Sequence, residues 1–162
     1  MSSSSASGAA HPVRRKHTAQ PVYLLDVSAG AGRRTTVRGP LWDGVLNATP
    51  GDDIDGPSPV EALLVAVAGC FVRNLHSVAE SAHISFECVE LHLAADRSDD
   101  PPAVTAVRLD AELSTTAPFA TAGRVVELAL RYGTITRTVA RASQFEVRAS
   151  INGTPLEVPD VH

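Results

Sequence analysis

The sequence predicts an α+β domain in which helices pack on an antiparallel sheet. Three observations carry this. A long apolar helix occupies the middle of the chain, with Leu64, Val67, Phe71, Leu75 and Val78 at helical spacing. Two period-two runs follow it and form a hairpin. A second amphipathic helix then leads into a last alternating strand, which completes the class.

Taken in order, residues 21–28 (PVYLLDVS) and 33–39 (RRTTVRG) read as strands joined by a glycine turn at 29–32, with a third strand at 42–47. Residues 49–57 are dense in Pro, Gly and Asp and form a loop. Ser58-Pro59-Val60-Glu61 then opens the central helix, with a capping residue, a proline at the first helical position and Glu three after the Ser. Leu63, Ala66 and Cys70 make its other flank apolar too, so the first half of this helix is expected to be buried nearly all round. Beyond Ala82, Ile84, Phe86 and Cys88 share one strand face while Val89, Leu91 and Leu93 share the other, a parity switch that predicts a bulge or a strand that changes which face it buries. Residues 98–102 turn the chain into a strand with Thr105, Val107, Leu109, Ala111 and Leu113 on its inner face. A helix over 119–132 turns Val125, Leu128, Ala129 and Tyr132 inward. Gly133 stops it, and Thr134 caps a short third helix to about Ala142. The last strand has Phe145, Val147, Ala149 and Ile151 inward.

At 162 residues the chain has room for one domain, placed at 21–158 behind a disordered tail over 1–20. Aromatics are 4% of the chain, so Ala, Val and Leu must build the core. A net charge of −4 argues against a nucleic-acid partner. The basic cluster Arg14-Arg15-Lys16 has no apolar run behind it, so no secretory signal is read, and the apolar run 62–72 is too short to span a bilayer. Two cysteines are too few for a disulfide scaffold, and the expected setting is cytoplasmic, with no membrane partner. No Cys/His spacing resembles a metal site, no glycine loop cradles phosphate, and no nucleophilic Ser motif is present, so no cofactor is expected.

That leaves the two thiols. In an apolar helix Cys70 reads by itself as a small core residue, inert among alkyl groups. Its surroundings alter that reading. Gly56-Pro57-Ser58-Pro59-Val60-Glu61-Ala62-Leu63-Leu64, followed by Ala68-Gly69-Cys70-Phe71, resembles the OsmC/Ohr family of thiol-dependent hydroperoxide reductases. Residues 131–139 (RYGTITRTV) resemble a second family segment, Y-C-P-V-x-R-T-L, and the resemblance extends over roughly residues 20–152. It implies an intertwined homodimer with two active sites at the interface. There Cys70 would attack the peroxide O–O bond, a second cysteine would resolve the sulfenate, and an Arg and a Glu would hold the thiolate.

The chain departs from that pattern twice. Gly133 stands where the resolving cysteine is expected, and Cys88 is assigned to the core beside Ile84 and Phe86. Val60, not Glu, follows Pro59, and Glu61 is better placed for a capping box. The arginine is expected from the early strands, with Arg38 preferred to Arg33 or Arg34. Arg73 and Asn74 share the face of Cys70, and they mark either a partly wet cavity or the point where the helix reaches solvent. With Tyr132, Gly133, Thr134 and Thr136 they complete the expected substrate pocket.

Two functional readings follow. One is a one-cysteine peroxidase in which Cys70 and Arg38 do the chemistry on organic hydroperoxides and an external thiol reduces the sulfenate. The other is an interface pocket turned to non-redox chemistry on, or binding of, a small apolar molecule. A purely structural or regulatory dimer stays open as a third.

Overall fold

The computed structural model describes residues 25–29, 34–39, 42–47 and 56–160. The expected tail, the glycine turn after the first strand and most of the loop before the central helix lie outside them. The elements run β1 (Asp26–Ala29), β2 (Arg34–Arg38), β3 (Asp43–Asn47), α1 (Pro59–Ser81), β4 (Cys88–Asp99), β5 (Pro102–Ser114), α2 (Phe119–Arg131), α3 (Thr134–Ala142), β6 (Gln144–Ile151) and β7 (Thr154–Leu156).

Two sheets result. β1, β2 and β3 form an antiparallel meander, and β4, β5, β6 and β7 form a second sheet in that order. The second sheet is not purely antiparallel as expected, because β6 joins β5 in parallel. The connection permits this: α2 and α3 lie between these strands, and parallel neighbours need a crossover of that kind. β7 was not foreseen, although its signal is local. Asn152 and Gly153 take φ of 51° and 77° between Ile151 and Thr154, the left-handed pair that closes a two-residue hairpin.

Helices α1 and α2 cover one face of the second sheet. Phe71, Leu75 and Ala79 meet Ala122, Val125, Val126, Ala129 and Leu130 of α2 above Leu109, Ala111, Leu113 and Ile151. Each large side chain fully buried there contributes roughly 1.5–3 kcal/mol. Gly123 belongs to this contact, since a Cβ there would sit 2.8 Å from Leu156 Cδ1 of β7. A smaller cluster of Val67, Val107 and Val139 ties the first half of α1 to β5 and α3. The inner stripe of α2 differs from expectation at its end, where Tyr132 lies beyond the last helical turn and is 62% exposed.

Three further expectations are corrected by register. β4 starts only at Cys88, so Ile84 and Phe86 precede the strand and its parity holds unbroken from Cys88 to Asp96. Val89, Leu91, Leu93 and Ala95 face the core and Cys88, Glu90 and His92 face outward, which makes Cys88 an exposed thiol, not a core one. The bulge lies elsewhere: Asp96 pairs with Ala106 and Arg97 with Val104, leaving Thr105 unpaired and turned to solvent. The first half of α1 is also less enclosed than predicted. Val67 is buried, but Val65, Ala66 and Gly69 are exposed. At 23 residues α1 is long and apolar enough to cross a bilayer by length and composition, beyond what the 62–72 run implied. One face nonetheless packs on the sheet, as a core helix does.

Candidate functional site

The position of Cys70 is set by the start of its helix. The Ser58 side chain accepts from the Glu61 N–H at 3.3 Å, and Glu61 Oε2 accepts from the Ser58 N–H at 2.7 Å, closing the capping box the spacing predicts. The backbone and then the hydroxyl of Ser58 hold the Glu61 carboxyl below its ordinary 4.5. This contribution is complete above that value and lost as pH falls through the depressed one. Glu61 is thereby occupied at the helix end, about two and a half turns from Cys70.

From that cap, the packed stripe of Val67, Phe71, Leu75 and Ala79 leaves Ala66, Gly69, Cys70, Arg73 and Asn74 on the other side. With Thr134 and Ile135 of α3, these residues line an open groove of about 570 Å³. Cys70 is half-buried at its wall, so it is not sealed among alkyl groups. Arg73 is exposed and, among the described residues, joins no salt bridge. Asn74 turns back on its own helix: Nδ2 donates to the Cys70 carbonyl at 2.8 Å and lies 3.5 Å from Cys70 Sγ.

The α3 side of the groove depends on Gly133. This residue, not Thr134, is the N-cap of α3; its backbone is extended and it offers no side-chain cap. It is also closely covered. A Cβ at Gly133 would stand 2.8 Å from Thr136 Oγ1 and 3.0 Å from Thr136 Cβ. Thr136 is fully buried, and among the described residues its hydroxyl makes no hydrogen bond. The space a side chain at 133 would need is filled by Thr136.

The structure thus brings Cys70, Arg73, Asn74 and Thr134 together. Gly133 and Thr136 are buried beside the groove without lining it, and Tyr132 is turned to solvent. Arg38 stands apart on the three-stranded sheet, with Nε 3.6 Å from Oδ1 of its cross-strand partner Asp43. Sequence reasoning missed Ala66, Gly69 and Ile135. Ala66 was legible as the position four before Cys70, and Gly69 as the position three after Ala66 and four before Arg73. Ile135 was not, since it arrives through the packing of α3 on α1. Among the described residues no group of three or more His, Cys, Asp or Glu could hold a metal.

Comparison with protein families matches residues 50–148 to the OsmC-like protein family. The chain belongs to that family. The helix carrying Cys70 and the α3 segment both fall within the matched range. Among solved structures, the OsmC-like protein from Mycoplasma pneumoniae superposes with a TM-score of 0.74 at 15% identity, covering 82% of this chain and 99% of that one. The organic hydroperoxide resistance protein OhrB of Bacillus subtilis gives 0.56 at 16%, covering 82% and 100%. An organic hydroperoxide resistance protein OsmC from Legionella pneumophila gives 0.57 at 19%, covering 82% and 98%. At these identities the likeness is one of fold. No curated protein matches the chain. This OsmC-like chain therefore shares the α+β fold of solved structures named for hydroperoxide resistance, while Gly133 and Thr136 occupy the segment where the resemblance expects a second thiol.

Proposed function

We propose that this OsmC-like protein is a one-cysteine thiol peroxidase, acting in the cytoplasm on organic hydroperoxides through Cys70. The observation that carries the reading is a half-buried thiol on the wall of an open groove that also holds the guanidinium of Arg73, which joins no salt bridge among the described residues. The Cys70 thiolate attacks the terminal oxygen of the hydroperoxide, the O–O bond breaks, and the alcohol leaves with a proton. Cys70 becomes a sulfenic acid. One external thiol condenses with it, releasing water and forming a mixed disulfide; a second thiol displaces Cys70 and leaves as the external disulfide. An external reductant is required because Gly133 supplies no thiol and Cys88 faces outward from β4.

The working unit is proposed as a homodimer of the domain at 21–158. Exposed apolar residues support this reading, among them Val27 at 56%, Trp42 at 56% and Val65 at 65%. Arg38 would then join a site from the partner copy. A second reading, non-redox chemistry on or binding of a small apolar molecule, draws support from Ile135 and Ala66 in the groove wall and from the filled space at Gly133.

The test follows loss of an organic hydroperoxide with dithiothreitol present, for the full chain and for Cys70→Ser. The proposal expects consumption by the parent, none by the variant, and gain of oxygen at Cys70 by intact mass. No consumption by the parent would leave the second reading. Mass measurement during size-exclusion chromatography tests the dimer, and a 17.0 kDa species would remove it.

A further inference from the structure

We propose that Asn74 is a positioning residue for Cys70, its side-chain amide donating to the sulfur and favouring the thiolate at the groove wall. The inference rests on Cys70 being the nucleophile and adds the group that prepares it. Asn74 Nδ2 lies 2.8 Å from the Cys70 carbonyl oxygen and 3.5 Å from Cys70 Sγ. A carbonyl oxygen only accepts, so the amide must present its NH2 here; turned over, two acceptors would face each other at hydrogen-bond distance. The orientation of the amide is therefore fixed by the helix backbone itself. The same nitrogen carries a second N–H, and the sulfur lies within reach of it. A donor aimed at sulfur favours the charged form, because a thiolate accepts more strongly than a thiol.

Asn is otherwise an unfavourable choice at mid-helix, where its side chain competes with backbone hydrogen bonds. Here it sits between Phe71 and Leu75, two fully buried core residues, in a helix that is apolar for most of its length. Among the described residues, the groove around Cys70 and Asn74 is lined by Ala66, Gly69 and Arg73 of α1 and by two residues of α3. Arg73 is the charged residue among those lining it, and α3 contributes Thr134 and Ile135, neither of which titrates near neutral pH. Asn74 is thus the neutral donor at the sulfur, and Arg73 is the nearby fixed charge.

The experiment measures iodoacetamide alkylation of Cys70 across neutral to alkaline pH in the full-length chain carrying Cys88→Ser, which removes the exposed second thiol. Asn74→Leu is expected to slow alkylation near neutral pH about threefold to tenfold, the worth of one hydrogen bond. Its profile moves to higher pH, and its alkaline plateau matches that of the parent. Asn74→Asp keeps the size of the side chain but replaces the donor with an acceptor, and is expected to move the profile further. Superimposable profiles for the parent and Asn74→Asp would overturn the proposal, whether or not Asn74→Leu folds. Displaced profiles in a protein that consumes no hydroperoxide would instead remove the peroxidase reading and leave the role of Asn74 standing.

Discussion

The two faces of α1 are built from similar residues and end in different surroundings. On one, Val67, Phe71, Leu75 and Ala79 are buried against β5, α2 and α3. On the other, Val65, Ala66, Gly69 and Cys70 are just as small or apolar, yet they border solvent and a groove. Hydrophobicity alone therefore does not decide which side of this helix is packed and which stays open. What separates the faces is the partner: a sheet and two helices cover the first, while a single turn of α3 approaches the second. A thiol on the first face would be sealed. On the second Cys70 borders an open groove.

The largest test of this contrast removes the packed face. Phe71→Ala leaves a cavity where three helices and a sheet meet, and a loss of about 3–5 kcal/mol is expected in urea unfolding. A small loss would mean that this face is not the core. A smaller effect is expected at the boundary. Gly133→Cys forces a side chain against Thr136 and should cost about 1–3 kcal/mol, with part recovered when Thr136→Ala removes the hydroxyl. An unchanged stability for the single variant would show that α3 yields easily and that a second thiol was excluded for some other reason. The smallest effect lies on the open face. Among the described residues nothing stands within 4 Å of where a Cβ at Gly69 would lie, so Gly69→Ala should gain about 0.5–1 kcal/mol in thermal unfolding through helix propensity alone. A loss there would mean that a second copy covers this face in solution.

Much of the fold was legible because its signals are local. The Ser58–Glu61 capping box, the stripe on α1, the inner face of β6 and the hairpin of β4 with β5 each depend on residues close together in sequence. The Asn152-Gly153 turn is equally local, an Asn-Gly pair between Ile151 and Thr154. The site was legible in part. Cys70, Arg73 and Asn74 share a helical face by spacing, whereas Thr134 and Ile135 reach them only through a contact between distant segments. Cys88 was misplaced because period-two alternation does not mark where a strand begins; its pairing with Ser114 does.

By itself the sequence determined the three helices and most of the strands, where α1 begins, and that Gly133 and not a cysteine precedes α3. These follow from backbone propensity and side-chain periodicity, which act over one or two turns. The tertiary structure decided which face of α1 stays open, that β6 runs parallel to β5, and that Thr136 fills the space at Gly133. Each of these depends on segments far apart in the chain meeting at one place, and short-range pattern carries no record of such meetings.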